Sequence, residues 1–365
     1  MSPSPTIVFV SPLPTRLPAI PTLKTSIATN KNVRILVITV VVLAVALAIR
    51  LWHDLGASQK PSFSDLQRRV QEQPNDFQAQ LDWGNALHAL HRDTEAEAAY
   101  KTAASLAPTD AQPLDLLATL AMERQRPDQA LEYLQASLKL DPNDAHAWHS
   151  YAQLLERMDP RAAMQAYARA TQLDPKDAFS WRQLGILERG QNRDRALQDL
   201  QRAAALNPND LITEDMIGDT ALASGKIPLA QQAYDRALAI QPNDPQALLG
   251  TAHRLLLQDP SPANLAKAGP LIDRAFAGMP QPSGYAYLVR GQWNLLQRRY
   301  PQAVSDLKAA LDSDPSMYTA HISLSQAYAA LGKPQLARRE SDLFVTAHDR
   351  APAAPGSAST QGQSR

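Results

Sequence analysis

Prolines recur in this chain at a fixed interval. Pro74, Pro108, Pro142, Pro175, Pro208 and Pro242 are separated by 34, 34, 33, 33 and 34 residues, and Pro280 and Pro315 extend the series at 38 and 35. An aspartate stands two residues after each of the first six: Asp76, Asp110, Asp144, Asp177, Asp210 and Asp244. Proline stops the helix before it, because it has no N–H and its ring clashes with the preceding turn. Aspartate starts the next helix by accepting from its unsatisfied N–H groups. The interval holds two short helices, and neither buries its apolar face alone. The pattern therefore predicts helical hairpins stacked in a solenoid. The 28 prolines against 14 glycines suit regularly punctuated helices better than a compact α/β enzyme.

Slots inside the period are filled in phase. Counted from the third residue after each proline, slots seven and eight hold Trp83-Gly84, Leu117-Ala118, Tyr151-Ala152, Leu184-Gly185 and Ile217-Gly218. At slot twenty, or its equivalent in repeats of altered length, stand Ala96, Ala130, Ala163, Ala196, Ala230, Ala268, Ala303 and Ala337. Four residues further on come Tyr100, Leu134, Tyr167, Leu200, Tyr234, Ile272 and Leu307. The small residues let two helices of a hairpin approach, and the large ones fill the space between neighbours. This spacing resembles the tetratricopeptide repeat (TPR) family, over residues 77–350. The resemblance implies an all-α fold, a right-handed TPR superhelix of about eight helical hairpins. Their repeats would be 77–110, 111–144, 145–177, 178–210, 211–244, 245–283, 284–317 and 318–350. Glu188 and Asn294 in apolar slots, Arg290 in a leucine slot and Ser325 in a small-residue slot depart from the pattern. Residues 62–76 read as a capping helix, with Phe63, Leu66 and Val70 facing inward.

The N-terminal segment follows different rules. Residues 1–32 contain six prolines and no acid, and predict a disordered Pro-rich segment. Between Arg34 and Arg50 lies the uncharged run Ile35–Ile49 of 15 residues. Counted from Val33 to Trp52, the segment spans about 30 Å as a helix, one hydrocarbon thickness. The two arginines can snorkel to the interfaces, and Trp52 suits headgroup level. We read residues 33–52 as a transmembrane signal anchor, one N-terminal transmembrane helix, followed by a linker over 53–61. The competing reading is a cleaved signal peptide with Ala46-Leu47-Ala48 as its site, leaving a secreted soluble protein. Arg50 and Trp52 follow that site too closely for a usual cleavage region. Arg16, Lys24, Lys31 and Arg34 precede the run, so the positive-inside rule puts the repeats on the outer, periplasmic side of an inner (cell) membrane. Residues 351–365, rich in Ala, Pro, Gly, Ser and Gln, predict a disordered tail.

Little in the chain points to chemistry. There is no cysteine, which removes disulfides, thiolate metal sites and thiol nucleophiles. The 36 Lys+Arg balance 36 Asp+Glu, which argues against a nucleic-acid binder working through a global basic field. No phosphate loop, nucleophile elbow or zinc-protease motif occurs. His88/His91 and His146/His149 are spaced i, i+3, but neither pair has an evident third ligand, and no metal or cofactor is expected. The residues outside the repeats are too few for a catalytic domain.

What remains is a groove. In TPR proteins, first-helix positions two, five, nine and twelve line the concave surface. Carried over, these include Asn85 and His88 in the first repeat, then Asp115 and Thr119. Next come His146, His149 and Gln153, followed by Arg182 and Arg189, then Asp215 and Asp219. Leu249 and Leu256 occupy such positions in the sixth repeat, Tyr285, Leu288 and Leu295 in the seventh, and Ile322 in the eighth. The family's carboxylate clamp wants Lys where Leu81 stands beside Asn85, so a chaperone-tail receptor is disfavoured. The leucines admit three readings: a partner helix covers them, the terminal helices fold back on them, or superhelical curvature already buries them. The functional expectation is a membrane-anchored, non-catalytic TPR scaffold that binds protein or peptide segments, without nucleic acid or small-molecule substrate. An alternative on architecture alone is a TPR factor of cytochrome c maturation type that holds an unfolded client.

Overall fold

The computed structural model describes residues 61–350. The expectations placed on residues 1–60 and 351–365, the membrane anchor and the tail among them, lie outside the described residues. No helix among the described residues is long and apolar enough to cross a membrane. The described part divides between Glu72 and Gln73. Before that boundary lies one helix, α1 (Phe63–Glu72), with Leu66 buried and Phe63 and Val70 half-buried.

After it come eight helical hairpins, and the described residues contain no strand. The pairs are α2 (Phe77–Ala89) with α3 (Asp93–Leu106), α4 (Gln112–Glu123) with α5 (Pro127–Leu140), and α6 (Ala145–Leu155) with α7 (Pro160–Leu173). Then follow α8 (Ala178–Glu188) with α9 (Arg193–Leu206), and α10 (Leu211–Ala223) with α11 (Ile227–Ile240). The last three are α12 (Pro245–Gln258) with α13 (Pro262–Ala277), α14 (Gly284–Leu296) with α15 (Tyr300–Ser313), and α16 (Tyr318–Ala330) with α17 (Pro334–Arg350). Each first helix packs on its second, and each second helix on the next first. From α10 onward successive first helices also pack on one another: α10 on α12, α12 on α14 and α14 on α16.

The turns between hairpins work as the sequence pattern implies, with two exceptions. The carboxylates of Asp76, Asp144, Asp177 and Asp244 accept from backbone N–H groups of the helices they start. Asp110 stands one residue outside its helix, whose N-cap is Ala111, and accepts from Gln112 N. Asp210 accepts instead from the Thr213 hydroxyl and from Arg182. A further bond pins the turn. The fourth residue of a first helix donates back to the proline carbonyl: Gln80 to Pro74 O, Trp148 to Pro142 O and Trp181 to Pro175 O.

The hairpins close where a ring lies on a residue without a side chain. A Cβ at Gly84 would stand 2.5 Å from Tyr100 Cε1. Tyr234 sits between Gly218 and Gly250, and a Cβ on either would overlap its ring. Tyr167 is buried too, in a cluster with Ala152, and the hydroxyls of Tyr100, Tyr167 and Tyr234 donate outward to Asn85, Glu156 and Asp219.

The departures from the repeat pattern are polar pairs inside hairpins. In the seventh repeat Asn294 donates to Asp306 Oδ2 at 2.9 Å, and Arg290 makes a bidentate pair with the same carboxylate at 3.0 and 2.6 Å. Arg290 also stacks on Phe276, 3.8 Å from the ring centre. Ser325 donates to Ala337 O at 2.8 Å. In the fourth repeat Glu188 and Asp199 occupy the slots of Asn294 and Asp306. Both are buried, and Arg195 Nε lies 2.9 Å from Glu188 Oε1. Two carboxyls can share a hydrogen bond only if one keeps a proton. Burial and then the mutual interaction hold Glu188 well above the usual carboxylate range, and burial raises Asp199. Since the folded-state affinity for the proton exceeds the unfolded one, this contribution is present in acid and is lost as pH rises through the raised value. Glu188→Gln supplies the amide that Asn294 supplies in the seventh repeat. It is expected to raise the melting temperature at about pH 8 and to leave it nearly unchanged near about pH 5, as read by thermal denaturation across pH.

Candidate functional site

Three recesses lie along the first helices and the turns that start them. One of about 560 Å³ is lined by Gln112, Asp115, Asp110, Asp141 and Asp144. A second, of about 260 Å³, is lined by His146, His149, Asp174 and Asp177. The third, of about 390 Å³, runs over four repeats and is lined by Arg189, Asp219, Leu222, Gln246, His253 and Tyr285, with Ala223 and Leu257. All three lie on the stripe that the first-helix spacing picks out.

Most of the polar residues expected on the stripe are held by hydrogen bonds. Asn85 Oδ1 accepts from Tyr100, and the half-exposed His88 lies 3.4 Å from Glu123 Oε2 and 3.6 Å from Asp93 Oδ1. Thr119 is exposed, its hydroxyl bonded to Asp115 O, and Gln153 is exposed. The His146 and His149 rings stack at 6.3 Å. His149 Nδ1 lies 2.8 Å from Asp177 Oδ2 and 3.0 Å from Ser180 Oγ. Serine and aspartate thus share one ring nitrogen. A nucleophile–base–acid relay needs them on opposite nitrogens, so this cluster is not one. Arg182 Nη1 donates to Asp210 Oδ2 at 2.6 Å while its guanidinium stacks on Phe179 at 4.8 Å. Arg189 Nη1 lies 3.0 Å from Met216 Sδ and its charge acts on Asp219, which accepts from Tyr234 and from Gln246 at 2.8 and 2.9 Å.

Burial tunes the acids and bases of this face in opposite directions. Burial raises Asp219, although Tyr234, Arg189 and Gln246 act against it. Burial lowers His253 to about 4, so its ring is neutral at pH 7, with Nδ1 3.0 Å from Tyr285 Oη. His91, paired with His88 on helical spacing, lies past the end of α2 with φ of 56°, so the two do not share a helix face. Among the described residues no three His, Asp or Glu side chains converge as metal ligands.

The apolar half of the expected site is not a surface. Leu249 is 1% exposed and Leu288 6%, and both belong to core clusters. Leu256 is buried with Leu249. The cause is the direct packing of α12 on α14 and α14 on α16, which closes the space between first helices. Tyr285 packs against both clusters. Leu295 is only partly buried and Ile322 is 37% exposed, so these two keep apolar area in reach of a partner, as does Tyr285 at the recess. Sequence reasoning also treated the cap aspartates as punctuation only, yet Asp144 and Asp177 line recesses. The signal was the residue at slot five, which faces the next cap.

Family models of the tetratricopeptide repeat match residues 111–154, 216–278 and 295–355. The chain carries tetratricopeptide repeats over these residues. No curated protein matches it. Among solved structures, the TPR array resembles that of the APC/C hetero-tetramer Cut9–Hcn1, 15% identical, over 80% of this chain and 58% of that one, with a TM-score of 0.51. YrrB, a TPR protein with an unusual peptide-binding site, is 18% identical over 51% of this chain and 97% of its own, with a TM-score of 0.47. A TPR protein of Parabacteroides merdae is 17% identical over 69% and 98%, with a TM-score of 0.46.

Since Leu288 is core, Leu288→Asp is expected to unfold the C-terminal TPR repeats rather than leave a folded protein with altered binding. The loss is about 2–5 kcal/mol, read by limited proteolysis and thermal melting.

Proposed function

We propose that the chain is a membrane-anchored TPR scaffold that holds a protein or peptide segment against its first-helix face and carries no catalysis of its own. The observation that carries this reading is the recess of about 390 Å³ formed jointly by four repeats, with charged and polar side chains on an apolar floor. A pocket of that kind, few polar groups set among apolar walls, suits recognition. A chain of zero net charge offers no global basic field for nucleic acid. The anchor is residues 33–52, and the basic residues before it favour a periplasmic position for the repeats.

Photo-crosslinking in cells tests the binding face. A crosslinker at the exposed positions Thr119 or Gln153 is expected to trap a defined partner, while one at the exposed second-helix positions Lys139 or Arg202 is not. Equal trapping from both faces contradicts the reading. For the anchor, the full chain is expected to stay with membranes through carbonate extraction. Removal of residues 33–52 should release it, whereas a soluble mature protein starting at Ile49 would show that the segment is a cleaved signal.

A further inference from the structure

The cap aspartates of the central repeats form a ladder, and each rung has a partner at slot five of the preceding first helix. His149 meets Asp177 at 2.8 Å and Arg182 meets Asp210 at 2.6 Å. On these two rungs the chain supplies its own partner, a histidine ring nitrogen on one and a permanent cation, Arg182, on the other. Burial alone would raise Asp177, but the bonds from His149 and Ser180 bring it down to about 2. Asp210 is lowered in the same way by Thr213 and Arg182, against burial. On the rungs either side, slot five is an acid: Asp115 acts against Asp144, and Asp215 against Asp244.

The two acidic rungs differ in how far they are satisfied. Asp115 is partly exposed and accepts from the Ser137 hydroxyl. Asp215 is 6% exposed, makes no side-chain hydrogen bond among the described residues, and its Oδ1 is sealed from solvent. Burial first, and then Asp244, Asp219 and Glu214, push its carboxyl up to about 8. Glu214 is held by Arg236 at 2.7 Å, and Tyr234 of α11 donates to Asp219. An unpartnered buried carboxyl is costly unless a ligand satisfies it. It stands one helical turn from Asp219 on the same face of α10, and Asp219 lines the 390 Å³ recess.

We propose that the Asp215–Asp244 rung receives a cationic side chain, a lysine or arginine of a basic peptide segment, which enters by the recess at Asp219 and takes the place that Arg182 takes one rung earlier. This rests on the groove being the binding face. Arg189 sits on the repeat-four wall of the recess, turned to Met216 Sδ, so the cation lies toward the fifth and sixth repeats. Charge complementarity names the chemistry, because the chain itself shows that a cation at slot five settles the next cap. A cation beside Asp215 favours its ionised form, so binding near neutral pH must release the proton that the free protein holds there.

The test uses the full chain in detergent with a synthetic Lys/Ala peptide and a Glu/Ala peptide as control. Calorimetry at pH 7 in two buffers of different ionisation enthalpy counts protons. The Lys/Ala peptide is expected to bind with proton release and the Glu/Ala peptide not to bind. Asp215→Asn, which mimics the protonated carboxyl, should weaken the Lys/Ala peptide by about tenfold or more and abolish the release. Proton release in the wild type needs no variant, so it stands even if Asp215→Asn folds poorly. Binding without proton release, equal affinity in a folded Asp215→Asn chain, or equal binding of both peptides overturns the inference. If the Lys/Ala peptide fails to bind while Thr119 and Gln153 still crosslink a partner, this inference falls and the groove reading survives.

Discussion

The carboxylate at the turn that starts each of the first six repeats ties the fold to its first-helix face. Proline ends one hairpin, and an aspartate two residues later starts the next by accepting from free N–H groups. Because the turn recurs at a nearly constant interval, the same carboxylate returns to the same edge of the groove in every central repeat. Each such charge needs a counterpart where water is partly excluded. Slot five of the preceding helix is where that counterpart must come from. His149 and Arg182 answer the demand, while Asp115 and Asp215 do not. The ladder that sets the repeat therefore also sets which rungs of the first-helix face are paired from within and which are not.

Much of this architecture was legible in the sequence. Proline and aspartate spacing reports backbone events, helix ends and starts, which depend on a few neighbouring residues. The Gly84–Tyr100 and Gly218–Tyr234 contacts were implied by the small and large slots, because the two helices of a hairpin are always partners. What escaped were properties set by the next repeat along. Leu249 and Leu288 occupy groove positions by count, but from α10 onward the first helices pack on one another and seal them. The Asp215–Asp244 opposition needs the pairing of slot five with the following cap, and that is a distance across repeats, not a spacing within one. Glu188, Asn294, Arg290 and Ser325 stood out as misfits, but their roles required partners such as Asp199, Asp306 and Ala337 O.

Solenoid energetics explain why such misfits persist. Each hairpin is stabilised by its own closure and by two neighbours, so a local cost is not spread over a single shared core. The fourth and seventh repeats show two solutions in the same slots. In the Asn294–Asp306–Arg290 network the carboxylate accepts from two donor side chains, whereas Glu188 and Asp199 need a retained proton. Asp215 is the third kind, a buried acid without a donor, and it lies where a ligand can reach its neighbour Asp219. Satisfied polar pairs hold hairpins, while Asp215 Oδ1 is among the buried polar atoms left without a partner among the described residues.

The protonation state of Asp215 in the free protein tests this account most directly. Infrared difference spectra between wild type and Asp215→Asn, taken on the full chain at neutral pH, isolate that one carboxyl. With its affinity for the proton pushed up to about 8, the account predicts that the wild type shows a protonated-carboxyl band that the variant lacks, fading as pH rises above that value. A carboxylate band at Asp215 already present at mildly acidic pH would mean that the rung is satisfied from within, and would contradict the claim that it is open.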